Sequence, residues 1–160
     1  QFGRNGNYAV DTAGTRDKYV GLWEYRNDSI VFQLLIVKED MVLNKSAVNA
    51  EPQNYSYFDG VALRYKIIKK GIVLYDGLKS GKIFYGCEQA SDNYIRARMA
   101  DYPGSIESGV RIKMLNFTPS RILFHFDSHR YEKLKPPSFY KNKETLFYIP
   151  VDGVEMVKIE

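Results

Sequence analysis

Cysteine is almost missing from this chain. Cys87 is the single one in 160 residues, so no disulfide forms within it and no cysteine-rich metal site can be built. Histidine is nearly as scarce, with His125 and His129 the whole supply, and Trp23 is the one tryptophan. No apolar run approaches the ~20 residues a membrane-spanning helix needs. No segment sustains the ~3.6-residue apolar period of an amphipathic helix, which excludes helix bundles and coiled coils. There is no fixed-period repeat of the solenoid or propeller kind. A glycine-rich phosphate loop and a Gly-x-Ser-x-Gly elbow are both missing, and Cys87 is followed by Glu88, whose charge disfavours a reactive thiolate. The expectation is a chain that is not an enzyme and carries no cofactor.

Charge of one sign is also lacking. Lys and Arg number 23 against 19 Asp and Glu, a net of +4. The excess is even along the chain: residues 1–80 hold 11 basic and 9 acidic groups, residues 81–160 hold 12 and 10. A nucleic-acid binder concentrates its positive charge, whereas a small spread excess serves solubility. No nucleic-acid partner is expected.

What is abundant is aromatic. Thirteen Tyr and nine Phe in one short chain rule out disorder and supply the core of a single domain. The apolar segments are short, β-branched or aromatic, and closed by turn residues. They run at Tyr19–Tyr25, Ile30–Val37, Met41–Leu43, Val61–Lys69 and Ile72–Tyr75, then Lys82–Cys87, Asn93–Met99, Val110–Met114, Arg121–Phe126, Leu146–Ile149 and Val154–Ile159. That is about ten strands at sandwich or barrel spacing. Closure removes the exposed edges of so many strands, so the expected fold is all-β, a single antiparallel up-and-down barrel of about 8–10 strands. Residues 1–16 read as a flexible lead-in and 17–160 as the barrel. Two loops exceed hairpin length, Asn44–Gly60 and Asp127–Thr145.

Four groups of residues are candidates for function. Large side chains on the inward face (Tyr65, Phe84, Ile95, Met99, Met114, Phe124 and Phe126) either fill the barrel or line a cavity. Aromatics in the two long loops, Tyr55, Tyr57 and Phe58 in one and Tyr131, Phe139 and Tyr140 in the other, suit a cavity mouth or a contact surface. Arg96, Arg98, Arg111, Lys113 and Arg121 fall on the polar face of successive strands, a basic stripe suited to a phosphate, an acidic glycan or an acidic partner. His125, Asp127 and His129 share strand parity, but ~6.8 Å separates same-face neighbours on a strand, and capping or solvated histidines are the expectation rather than a metal site. Four Asn-x-Ser/Thr sequons, at Asn27, Asn44, Asn54 and Asn116, fit a surface rich in Asn and Ser or a secreted glycoprotein.

Gly21-Leu22-Trp23 lies in the first strand. It resembles the Gly-x-Trp signature of lipocalins and the wider calycin group, antiparallel barrels that hold small apolar ligands. The resemblance implies that Gly21 lets the chain turn beneath the barrel, that Trp23 plugs the closed end, and that a late basic side chain, Arg121 or Lys158, stacks over the indole. More broadly, residues 17–37, 58–77 and 146–160 are similar to an uncharacterised family of small exported lipocalin-like proteins from Bacteroidetes. That similarity implies a periplasmic, outer-membrane-associated or secreted location and assigns no activity. Gln1 departs from the lipidated cysteine with which members often begin, although the Gly/Asn/Thr-rich opening suits the lead-in left by a cleaved export signal. The expected function is a non-catalytic exported protein holding a small apolar or amphipathic ligand. The alternative is a protein-interaction module, an envelope-complex subunit or an immunity-type inhibitor, working through the basic stripe and the aromatic loops.

Overall fold

A computed structural model describes residues 7–45, 55–79, 90, 93–101, 106–126, 145–146, 148–150 and 152–160. Strands are the regular elements among them: β1 (Asn7–Ala9), β2 (Gly21–Arg26), β3 (Ile30–Lys45), β4 (Tyr55–Lys69), β5 (Ile72–Asp76), β6 (Tyr94–Asp101), β7 (Ile106–Phe117), β8 (Ser120–Phe126), β9 (Thr145–Leu146), β10 (Ile149–Pro150) and β11 (Val154–Lys158). One nine-stranded sheet runs β1-β4-β3-β2-β11-β8-β7-β6, with β5 also on β4, and β9 and β10 form a separate ladder. The sheet is strongly curled into half a barrel. All its pairings are antiparallel except β1 with β4. The expected strand Lys82–Cys87 lies outside the described residues, in the connection between β5 and β6.

Local chemistry sets the turns. Asn27 accepts the amides of Ser29 and Ile30 on its side-chain oxygen at 2.8 and 2.7 Å, a local bond that competes with continuing the strand and reverses the chain. Lys70 and Gly71 take positive φ values of 48° and 80°, the left-handed pair that a tight hairpin between β4 and β5 requires.

Three expectations are corrected. Ile30–Val37 and Met41–Leu43 are one strand, because a bulge between Glu39 and Val42 absorbs the polar interruption and puts Met41 at φ 51°. The expected loop Asn44–Gly60 is shorter at both ends: β3 runs to Lys45 and β4 begins at Tyr55, so Tyr55, Tyr57 and Phe58 are strand residues. Their Tyr-Ser-Tyr-Phe order alternates exposed, buried, half-buried and buried, the period-2 pattern of a strand with unlike faces. The described part of the expected lead-in, residues 7–16, supplies β1 beside β4 and buries Arg16 at 6% exposure.

The concave face carries the core. Phe32 of β3 meets Phe124 of β8 at 5.3 Å between ring centroids, although β2 and β11 lie between these strands in the sheet. Only curling brings them together. Tyr65 extends the cluster to Phe32 at 6.1 Å and to Tyr75 at 4.6 Å, and Phe126 stands edge-on to Phe124 at 5.6 Å. Ile95 and Met99 of β6 and Ile112 of β7 complete it without solvent exposure. Burial of each such side chain is worth roughly 1.5–3 kcal/mol. From beyond β8, Ile149 enters the same core and Tyr148 packs against it.

Candidate functional site

The inward residues come together as expected from their parity. Tyr65, Ile95, Met99, Phe124 and Phe126 belong to one core cluster, and Met114 packs against it half-buried. Tyr65, Ile95, Met99 and Phe124 have no surface in contact with solvent, and the rings touch one another. Phe84, Cys87, Asp127, His129, Tyr131, Phe139 and Tyr140 lie outside the described residues.

The Gly21-Leu22-Trp23 segment is held from three sides. Gly21 adopts φ 140°, and a side chain there would fall on the Glu160 carbonyl and the Lys158 side chain. Leu22 exchanges backbone hydrogen bonds with the chain end, its N–H to Glu160 at 2.8 Å and its carbonyl from Ile159 at 2.8 Å. Trp23 is fully buried and donates its indole N–H to the Tyr19 carbonyl at 2.8 Å. Lys158 is the cation over the indole, at 5.7 Å. Arg121, the other candidate, pairs with Glu155 at 3.5 Å instead.

On the convex face the basic residues form a row. Arg96 of β6 stands directly across from Arg111 of β7, and Arg111 stands directly across from His125 of β8. Lys113 is opposite Tyr94 and Arg98 opposite Gly109. The Arg111 guanidinium lies over the Tyr94 ring at 5.6 Å, and its buried Nε has no hydrogen-bond partner among the described residues. His125 Nδ1 lies 3.3 Å from the Phe126 carbonyl oxygen. Arg121 sits at the far end of β8, opposite Asn116.

The most densely bonded polar cluster was not foreseen from sequence. Arg16 donates Nε to Asp11 at 3.0 Å, and Nη1 to Asp40 at 2.8 Å and to the carbonyls of Gly60 and Glu39 at 3.1 and 3.4 Å. Asp59, also 6% exposed, accepts the Tyr8 hydroxyl and the amides of Asp11 at 2.9 Å and Met41 at 3.3 Å. Asp11 accepts the amides of Thr15 and Arg16 at 2.9 and 3.2 Å. Burial alone raises the Asp59 carboxyl, but the Tyr8, Asp11 and Met41 donors and the Arg16 charge outweigh it and hold the group below the usual carboxylate range. Asp11 follows the same logic, with burial opposed by the Thr15 and Arg16 amides and the Arg16 side chain. The bond to Asp59 in turn raises the Tyr8 phenol above its ordinary value.

This cluster ties three separate segments together: the N-terminal segment, the β3 bulge and the start of β4. A cleft of about 210 Å³ opens beside it, lined by residues 9–13 with Thr15, Arg16, Asp59 and Ala90. The one sequence signal was Asp11-Thr12 and Arg16 in a stretch otherwise made of small polar residues, and such residues are ordinary in a solvated segment.

No protein-family model, curated protein or solved structure matches this chain. Its functional reading therefore rests on the geometry above.

Proposed function

We propose that this chain is a non-catalytic binding module: a filled, lipocalin-like up-and-down barrel whose convex β6–β8 face docks an acidic surface of a protein partner. The observation that carries the reading is the Arg96–Arg111 pair. Two guanidinium groups directly opposite on neighbouring strands concentrate positive charge at one point of the face, where each can fork onto a carboxylate. Arg111 lies over the Tyr94 ring at 5.6 Å, a contact that helps to order its fork for a carboxylate before the partner arrives. The ring contacts across the interior support a barrel that is filled rather than hollow. Closure of the barrel between β5 and β6, kinship to the exported lipocalin-like family and a place in the cell envelope belong to the same reading.

The test is affinity capture from the host with the wild type and with Arg96→Glu/Arg111→Glu, at about 50 and 500 mM salt, followed by native mass spectrometry. Expected is an acidic protein that the wild type holds at low salt, and that is lost both in the variant and at high salt, as screening requires. Capture indifferent to salt and to the variant overturns the docking face. An apolar small molecule released on denaturation overturns the filled barrel and favours the cavity reading.

A further inference from the structure

Past the bulge, β3 and β4 stay paired from Val42 and Phe58 to Lys45 and Tyr55, with β1 alongside β4. Leu43, Tyr57 and Tyr8 stand directly across from one another on these three strands and so share one face. Tyr55 meets Tyr57 edge-on at 6.1 Å two residues away on the same face. Tyr8, Met41, Leu43 and Tyr55 are all exposed, as is Val10 beyond the end of β1. Scattered apolar residues on a surface need no explanation, but a contiguous aromatic and aliphatic platform does.

The platform runs into the cleft beside Arg16. Tyr8 links the two, because its hydroxyl donates to Asp59. Arg16 is deeply buried, and its Nε and Nη1 are spent on protein acceptors, whereas Nη2 lies 3.6 Å from Asp59, too far for a hydrogen bond. The Nη2 N–H groups have no acceptor at hydrogen-bond distance among the described residues, and Arg16 lines the cleft together with Thr12 and Thr15.

Charge selects the ligand. Arg16 is surrounded by three carboxylates, Asp11, Asp40 and Asp59, so the cluster as a whole repels an anion. A cation gains little, because the Asp11 and Asp59 oxygens already accept donors from the protein. A neutral oxygen fits: a hydroxyl takes the Arg16 N–H groups and exchanges hydrogen bonds with the threonines. At about 210 Å³ the cleft is smaller than the ~300–1,000 Å³ of a drug-sized pocket and holds one ring or end group. Tyrosine rings beside it offer flat apolar faces with a hydroxyl at the edge, the surface on which further rings of an oligomer can lie.

We infer that the Arg16 cleft and the Tyr8–Tyr57–Tyr55 platform form a binding site for a neutral saccharide, with its terminal ring in the cleft and the following rings on the tyrosines. This is independent of the basic face, which lies on β6–β8.

The experiment is a glycan array carrying neutral and acidic oligosaccharides, followed by amide shift mapping of the intact chain with the free form of each array hit and with cellotriose and maltotriose. Expected is a response to neutral glycans, with shifts at Thr12, Thr15 and Arg16. Thr12→Val and Tyr57→Leu each weaken binding at least tenfold while the melting temperature is kept. Binding on the array that the free oligosaccharide reproduces marks a soluble ligand, and binding that needs the immobilised form marks a surface glycan. Silence across the neutral glycans overturns the inference. So does a preference for acidic glycans, or an unstructured apolar peptide that shifts the same amides while no glycan does. Arg96→Glu/Arg111→Glu should leave saccharide binding unchanged, which separates failure of this site from failure of the basic face.

Discussion

Lys158 and Trp23 face each other across the β11–β2 ladder, with the ammonium 5.7 Å from the indole ring. Their pairing joins the end of the chain to the first long strand, and Gly21 makes it possible by leaving room for the Lys158 stem and the Glu160 carbonyl. Two segments far apart in sequence, Gly21–Trp23 and Lys158–Glu160, thus depend on one close approach of two backbones.

Gly21→Ala is therefore expected to destabilise the fold by about 1–3 kcal/mol, from strain at a positive φ together with the lost space. Lys158→Met should cost less, about 0.5–1 kcal/mol, and should shift the emission of Trp23. Urea denaturation followed by tryptophan fluorescence reads both. A Gly21→Ala variant as stable as the wild type would show that the approach of the chain end is not needed.

The N-terminal clamp predicts an acid transition. Asp11 and Asp59 titrate below the ordinary value of 3.8 in the folded protein, so the unfolded chain takes up protons first. Their contribution to stability is present above about pH 4 and is lost as pH falls through the folded-state values. Protection of the amides of Asp11, Thr15 and Arg16 from hydrogen exchange, taken relative to the intrinsic rate at each pH, should fall below that point. Asp59→Asn should remove part of the pH response and cost roughly 1–3 kcal/mol at neutral pH, because an amide cannot accept from Tyr8, Asp11 and Met41 as the carboxylate does, while Asp11 and Asp40 still face Arg16. A protection profile unchanged down to pH 3 in the wild type would contradict the clamp.

Phe124→Ala should cost about 3–5 kcal/mol, since it removes the ring that meets both Phe32 and Phe126. The cavity it opens is apolar. The variant is expected to bind a hydrophobic dye that the wild type ignores. Equal dye binding by the two proteins would count against a filled interior.

Arg111→Met should leave fold stability within about 0.5 kcal/mol, because it relieves the charge opposition with Arg96 while giving up the contact with Tyr94. The same substitution should weaken the acidic partner and its salt dependence together. Equilibrium unfolding and titration at two salt concentrations separate the effects. A variant that loses several kcal/mol of stability would mark Arg111 as a structural residue.

Strand periodicity made much of the fold legible. Ile95, Ala97 and Met99 against Arg96 and Arg98, and Ile122, Phe124 and Phe126 against Arg121 and His125, each named their inner and outer faces correctly. The basic row was visible for the same reason, since alternation fixes the face and neighbouring strands then align. The β3 bulge was not, because Lys38-Glu39-Asp40 reads as a loop until Gly60 and Asp59 across the ladder supply its partners. The Arg16 cluster was hidden more deeply. Its members, at positions 8, 11, 16, 40 and 59, share no periodicity, and each is an unremarkable surface residue in its own segment.

The sequence by itself determined the strand content and the two faces of each long strand, because side-chain alternation and hydrophobic burial are local consequences of residue order. It also marked Gly21 and Trp23 as a special pair. The tertiary structure alone decided which cation lies over the indole, how Phe32 reaches Phe124, and where the buried carboxylates find their donors. Those contacts depend on the curl of the sheet and the return of both chain ends, and curvature is a sum over many residues rather than the property of any one segment.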